Sequence, residues 1–487
     1  MPDAISQLAD VLRRGLPGPE SGVRPILESL FGERYHRRHF EPTIIRDAYA
    51  LATGAGDQVD GVPFAGLIHP DNPPSGPYGG TSLVWFPTRD HGSLIGFGVG
   101  TRGLSPDEGI LARPGHRRRI AALRRSLTRK GVEAWTKPDP SAIGVAAPKI
   151  VQDRFKGFEK VFQRYGHEMY CNAVVPSDPE LSKTVLLAFL DLYAFERGWQ
   201  ILKSAQEDFD DFIGQLRGDL FPKIDRVKVN ELLRHRRFVV LQGPPGTGKT
   251  RLADEVRREH FAGRGMTVQF HPAFTYEDFV VGLSPDSKDR ALRFDVRPGC
   301  LLNAAETAKE GPTLLVIDEV NRADLGKVLG EAIYLFEARE VGSVQARKVQ
   351  LPHPVNGSRS FTFPENLYIL ATMNTADRSI APVDIAIRRR FAFVTMAPDR
   401  AVVEAQGIAL GLDIFDRLTD VFVEHAPLEA LDLMPGHAYF LADSDQELKQ
   451  RFRYELLPLL DEYIREGYLG PATTELHAVR DVIEDAC

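Results

Sequence analysis

From Phe238 onward the chain alternates short, almost unbroken apolar runs with stretches of helical periodicity. The runs are FVVL at 238–241, TVQF at 267–270, LLVI at 314–317, LYILAT at 367–372 and FAFVTM at 391–396. Strands buried on both faces read that way, and strands that alternate with helices build a parallel, doubly wound α/β sheet. Beyond about residue 400 the pattern is mostly helical, which predicts a small C-terminal helical domain. The first third differs. Residues 26–32 (ILESLFG) predict a helix, and HPDNPPSGPYGG at 69–80 is a loop rich in turn formers. The apolar runs Leu83–Phe86 and Ser93–Val99, separated by PTRDHG, predict a β-hairpin. Residues 117–130 predict a helix with Ile120, Leu123 and Leu127 as its apolar stripe.

The segment TKPDPSAIGVAAPK (136–149) carries three prolines and little periodicity, so it reads as a boundary. Helices are predicted over 151–165 and 178–198, the second opening at Ser177-Asp178-Pro179-Glu180 with capping-box spacing. A charged helical stretch follows at 205–235. The resulting organisation is an N-terminal mixed α/β domain (1–140), a helical linker region (141–220), an α/β nucleotide-binding domain (221–398) and a C-terminal helical lid (399–487). No repeat at solenoid spacing and no low-complexity tract interrupts it.

Four clusters carry chemistry. Gly243-Pro244-Pro245-Gly246-Thr247-Gly248-Lys249-Thr250 matches G-x-x-x-x-G-K-[ST] in full, with a strand running in and a helical pattern, TRLADEVRREHF, running out, and these eight residues with Arg251 are the candidate nucleotide-binding set. Such a loop turns backbone N–H groups toward phosphates at a helix N-terminus. Lys249 then neutralises the β/γ oxygens and the Thr250 hydroxyl ligates Mg²⁺. Asp318 and Glu319 end an apolar strand. Because a strand alternates faces, the two carboxylates serve different partners, Asp318 the metal shell and Glu319 the attacking water. Asn374, at the end of the next strand, is a candidate to bond that water and a γ-phosphate oxygen, with Asp377 close behind in sequence. A polar turn is the competing reading of 374–379. Arg388-Arg389-Arg390 precede the last strand. In ring NTPases an arginine reaches the neighbouring subunit's γ-phosphate, whereas a solvated basic face is the ordinary meaning of such a run.

Composition narrows the class. The 487 residues hold 43% hydrophobic and 26% charged positions, ordinary globular values that exclude a largely disordered chain. There is no apolar run of about 18 residues, so no membrane span is expected, and the start MPDAISQLADVLRRGL lacks the features of a secretory signal. Three cysteines, Cys171, Cys300 and Cys487, are too scattered for a disulfide framework or a zinc site. A cytoplasmic location fits. Sixty Lys+Arg against 67 Asp+Glu give a net charge of −7, which argues against a uniformly basic coat but permits a local patch.

Taken together these motifs resemble the McrB family of AAA+ motor subunits from modification-dependent restriction systems. The resemblance rests on FHPAFTYEDFVVG (270–282), DEVNRADLGKVLGEAIYLFE (318–337), MNTADRSIAPVDIAIRRRFAF (373–393), LMPGHAYF (433–440) and YELLPLLDEYI (454–464), and covers roughly 238–465. It implies an AAA+ P-loop NTPase core with a C-terminal helical lid. It places Asn374 at the sensor position, Asp377 at a signature acid that assists hydrolysis, and Arg388 and Arg389 where trans-acting arginines sit. Asn321 and Arg322 fall where the family senses a neighbouring subunit or its nuclease partner. The family's hexameric ring, its separate McrC-type nuclease and its use of GTP follow by resemblance only. Nothing in 243–250 reads the base, so ATP stays open, and the chain shows no nuclease motif of its own.

The first third lies outside that resemblance and is where a target-reading domain would sit. Between Arg113 and Lys130 stand eight Arg/Lys and no acid, with Arg117, Arg118, Arg124 and Arg125 as candidate DNA contacts. Trp85, Phe86 and Phe97 are candidates to stack on a base; the plainer reading makes them core and the arginines a solvated helix face. Two other functions compete with a nuclease-driving ring motor. One is a MoxR-type, ATP-dependent protein remodeller. The other is a nucleotide-switched DNA-binding scaffold with slow hydrolysis.

Overall fold

A computed structural model describes residues 3–16, 22–46, 62–71, 79–286, 293–376 and 384–487. The chain divides into two compact units, Met1–Leu220 with Val423–His425, and Phe221–Phe422 with Ala426–Cys487. No helix among the described residues is long and apolar enough to cross a membrane.

The first unit is an α/β layer. Helices α1 (Ala4–Arg14) and α2 (Arg24–Glu33) precede strands β1 (Ile44–Arg46), β2 (Ala65–Ile68), β3 (Thr81–Pro87) and β4 (Ser93–Val99). Then come α3 (Pro114–Arg129), β5 (Ala134–Thr136), β6 (Met169–Val174), α4 (Pro179–Glu196) and α5 (Gln206–Gly218). The sheet is antiparallel throughout, in the order β1-β2-β3-β4-β6-β5. The predicted hairpin is β3–β4, paired from Thr81↔Val99 to Pro87↔Ser93. Leu83, Trp85, Ile95 and Phe97 face the helices on one side, and Val84 and Phe86 join Phe155, Phe158 and Phe162 on the other.

The segment 141–220 is therefore not a helical linker. β6 inserts between β4 and β5, and α4 is buried around most of its girth, including Val185, Leu186, Phe189, Leu190, Leu192 and Tyr193. A helix apolar on all sides belongs to a core, not a connector. Its cap is Asp178, whose side chain accepts from the Leu181 N–H at 2.8 Å. The expected helix 151–165 is two short pieces, Lys149–Gln152 and Glu159–Tyr165. The stretch 205–235 is likewise broken, and Asp225 caps the next helix by accepting from the Lys228 N–H at 2.9 Å.

In the second unit α6 (Arg226–Arg236) leads into β7 (Phe238–Gly243), α7 (Lys249–His260) and β8 (Gly265–Gln269). A hairpin, β9 (Val281–Asp286) and β10 (Arg293–Pro298), precedes α8 (Cys300–Thr307) and β11 (Thr313–Asp318). A second hairpin, β12 (Lys348–Val355) and β13 (Ser358–Thr362), precedes β14 (Leu367–Asn374) and β15 (Ala392–Thr395). The five runs read from the sequence form one parallel sheet in the order β15-β7-β14-β11-β8. Leu314, Val316 and Leu370 pack on one face, and Leu315, Ile317 and Ile369 on the other. The two hairpins were not anticipated, because their alternating, half-exposed residues make no continuous apolar run. The helices α9 (Arg400–Gln406), α10 (Ala409–Asp420), α11 (Leu457–Arg465) and α12 (Thr473–Ala486) surround a separate core that includes Phe415, Leu418, Phe440, Phe452, Leu460 and Leu476.

Candidate nucleotide-hydrolysis site

The site forms at the C-terminal edge of the parallel sheet, where β7, β14 and β11 end side by side. Asn374 pairs with Gly243 across β14 and β7, and Ile317 with Ala371 across β11 and β14. Crossovers leave opposite faces of the sheet at such an edge, and the crevice between them is where ligands bind in open α/β sheets. The loop 243–248 leaves β7 and enters α7. Gly246 and Gly248 have φ of 80° and 77°, in the left-handed region that costs other residues energy. Gly248 is the residue before the first turn of α7, so the loop's amides and the helix N-terminus converge there.

Lys249 is 7% exposed. Its Nζ donates to the carbonyl oxygens of Gly243 at 2.9 Å and Pro244 at 2.7 Å. Burial pushes the ammonium down to about 8, against the pull of Glu319 and Asp318. Thr247 donates its hydroxyl to the Pro244 carbonyl at 2.9 Å, which stiffens the loop.

Asp318 and Thr250 meet directly, the hydroxyl donating to Oδ1 at 2.9 Å. A carboxylate and an adjacent hydroxyl are the hard oxygen donors that Mg²⁺ takes, with the remaining positions left to water and phosphate. The residues present therefore fit the ion. Glu319 has φ 54°, a left-handed conformation uncommon outside glycine. Its Oε1 accepts from Asn374 Nδ2 at 2.5 Å and its Oε2 from Arg322 Nε at 3.3 Å. Each carboxylate oxygen keeps a second lone pair for a water.

The structure thus brings together Lys249, Thr250, Asp318, Glu319, Asn374 and Arg322. Arg251 is exposed and pairs with Glu255 on its own helix at 2.9 Å. Asn321 is buried, its Nδ2 donating to the Asn374 carbonyl at 3.2 Å. Facing inward, it supports β14 and is not a surface residue for meeting a partner. Arg322, by contrast, has a side chain 45% exposed. Arg388 and Arg389 are exposed, Arg388 over the Phe393 ring at 5.2 Å and Arg389 within 3.3 Å of Glu337. The third arginine, Arg390, is the inward one, with its side chain 8% exposed and 3.5 Å from Glu337. Asp377 lies outside the described residues.

Sequence reasoning missed two features. Thr372, buried on β14, donates to the Asp318 carboxylate at the end of β11 and accepts from the Glu319 backbone N–H that follows it. Its signal was a lone hydroxyl in an apolar run, two residues before Asn374 and so on the same strand face. The seating of the lid turn 434–440 on the phosphate loop is the other. Gly436 N–H donates to the Pro245 carbonyl and Ala438 N–H to the Gly246 carbonyl, both at 3.0 Å. Side chains follow the backbone contact. His437 Nδ1 accepts from the Asp399 N–H at 3.3 Å, and burial lowers this imidazole below its ordinary range.

The proposed DNA patch on α3 does not survive as drawn. Arg118 is buried at 3% exposure, and Arg117 pairs with Asp139 at 2.9 Å. Arg125 is half-buried and only Arg124 stands fully exposed. The helix packs through a wider face than its three-residue stripe, so two consecutive arginines, Arg118 and Arg119, go inside. Trp85, Phe86 and Phe97 are at most 3% exposed and belong to the core.

Residues 238–391 match the family model described as AAA domain (dynein-related subfamily), and residues 427–469 match that of the McrB alpha-helical lid domain. The type IV methyl-directed restriction enzyme EcoKMcrB subunit of Escherichia coli (strain K12) is 30% identical over 348 residues, 65% of this chain and 74% of that protein. The type II restriction enzyme BsuMI component YdiS of Bacillus subtilis (strain 168) is 24% identical over 189 residues, 32% of this chain and 55% of that one.

Proposed function

Because this chain belongs to the McrB family of AAA+ nucleoside-triphosphate hydrolases, we propose that it is the ring motor of a restriction system that acts on foreign DNA. In this reading it forms a closed homo-oligomer, a hexamer by family resemblance, and works in the cytoplasm. Its hydrolysis, of GTP in preference to ATP, drives DNA translocation and activates a separate McrC-like nuclease subunit. The observation that carries the reading is the likeness to a methyl-directed restriction subunit over 348 residues, together with the McrB lid match at 427–469.

The division of labour follows from the geometry. The glycine-rich loop and Lys249 bind the triphosphate, since a charge-assisted bond to phosphate oxygen outweighs the carbonyl bonds the ammonium makes otherwise. Thr250 and Asp318 hold Mg²⁺, which when bound neutralises charge on the β- and γ-phosphate oxygens. Glu319 accepts the proton of the attacking water, and Asn374 orients that carboxylate. Asp377 is assigned by resemblance to assist. Arg388 and Arg389 of one copy face the γ-phosphate held by the next. Arg322 answers the nuclease or the neighbouring copy. Arg124, with what remains of the α3 patch, contributes to DNA contact.

The test is turnover of GTP and of ATP by the purified chain, alone and with a co-expressed McrC-like nuclease subunit, with and without methylated duplex DNA. GTP turnover should exceed ATP turnover and rise when the nuclease is added. Equal indifference to nuclease and DNA, with ATP preferred, would return the chain to a protein-remodelling role.

A further inference from the structure

β11 ends at Asp318, and Glu319 follows it in a left-handed conformation at φ 54°, so strand alternation does not by itself set the two carboxylates apart. Something has to hold the pair so that one faces the metal and the other the water. The structure offers one atom placed to do this. Thr372 Oγ1 lies 2.5 Å from Asp318 Oδ1, to which it donates, and 3.1 Å from the Glu319 backbone nitrogen, from which it accepts. Thr372 is 1% exposed, so no water competes for either bond.

We propose that Thr372 is a positioning residue for hydrolysis, its single hydroxyl setting the Asp318 carboxylate and the Glu319 backbone at once. The inference rests on the roles given above to Asp318 and Glu319. A hydroxyl has one proton and two lone pairs, so donating to Asp318 leaves an acceptor for Glu319. Asp318 Oδ1 then takes two donors, Thr250 and Thr372, which fixes the plane of the carboxylate. Among the described residues no hydrogen bond to Oδ2 accompanies these two, so that oxygen would be left to a metal ion. On the other side, the Glu319 N–H is anchored while its backbone sits at φ 54°, a left-handed conformation that is strained for a non-glycine residue. That turn carries the Glu319 side chain away from Asp318 and onto Asn374 and Arg322. Without the anchor the residue relaxes, and the carboxylate leaves its hydrogen-bond partners.

The shape of Thr372 is separable from its hydroxyl. Thr372→Val keeps volume and branching and removes both bonds, while Thr372→Ser keeps the hydroxyl. In the full chain T372V should lower maximal turnover by about 10–100-fold with KM for nucleotide changed less than about 2-fold, the pattern of a loss felt in the transition state. Its half-saturating Mg²⁺ concentration should rise by about 5–10-fold, as weakened support of a ligand predicts. T372S should restore both. Hydrogen exchange on the metal-free chain gives a readout independent of turnover, since the segment around Glu319 should exchange faster in T372V and not in T372S. Where T372V does not fold, Thr372→Ala carries the same expectation. Turnover and Mg²⁺ dependence both within about 2-fold of wild type in T372V, or a serine variant as defective as the valine one, would overturn the assignment. E319Q and D318N run alongside: if they also turn over normally, the reading of the whole site fails; if they do not, only Thr372 does.

Discussion

Lys249 sits in its loop as a buried cation held by two neutral carbonyls, and that has a measurable consequence. Burial lowers its pKa to about 8, while the carboxylates of Glu319 and Asp318 keep it from falling further. A bound phosphate stabilises the protonated form and therefore raises the pKa again. Nucleotide binding is then accompanied by proton uptake wherever the free protein has already lost the proton. Affinity should be level below about pH 8 and fall above it, by up to about tenfold per unit until the pKa of the complex is passed. Titrations with a fluorescent nucleotide between pH 7 and 9.5 check this, and a flat profile would mean the ammonium is never released. The neighbouring side chains show how much one residue's orientation decides. Of three consecutive arginines, Arg390 turns inward to Glu337 while Arg388 and Arg389 remain exposed. Asn321 and Arg322 divide in the same way, one bonded to the backbone of β14 and the other reaching Glu319.

At the level of elements, the lid turn 434–440 lies backbone to backbone on the phosphate loop. The carbonyls of Pro245 and Gly246 accept from it, which leaves the loop's amides for a phosphate. Gly436 makes the contact possible, because a Cβ there would stand 2.1 Å from the carbonyl carbon of Gly246. Gly436→Ala should push the turn off the loop and weaken nucleotide binding by about 10-fold or more, the worth of one or two lost hydrogen bonds. The lid's own core, which contains neither residue of the contact, should keep its melting temperature. A fluorescent-nucleotide titration beside thermal melting checks both, and unchanged affinity would detach the lid turn from binding. This contact was hard to read in advance. A close approach of two loops separated by some 190 positions leaves only a glycine as its trace, and glycines are common in turns. Elements that repeat a period announced themselves, since the five parallel strands of the second unit all coincide with apolar runs. The first unit was harder. MYCNAV in β6 is one short run in a helical neighbourhood, and the face of α3 that packs inward includes arginines that a hydropathy stripe counts as solvent.

For the whole molecule the open question is whether a catalytic pocket belongs to one copy or to two. Within a single copy, Glu319 and Asn374 sit together at the sheet edge, while Arg388 and Arg389 stand exposed on the segment before β15. Their nearest contacts are Phe393 and Glu337, not the phosphate loop. If they act, they act on a neighbour, and that makes a prediction about mixtures. Arg389→Ala should bind nucleotide normally but lose turnover by about 10³-fold, the scale of a missing arginine finger. Glu319→Gln should bind and also fail to hydrolyse. In a ring assembled from both variants, some interfaces pair an intact Glu319 from one copy with an intact Arg389 from the next, and only those interfaces can hydrolyse. A one-to-one mixture, equilibrated before assay, should therefore regain roughly a quarter of the wild-type rate, by random placement of two independent single-residue lesions that each remove one half of a shared site. Two variants that act within their own copy give no such recovery. A mixture as inactive as its parents would place the arginines outside the reaction, and a purified monomer of Arg389→Ala that hydrolyses at the wild-type rate would do the same.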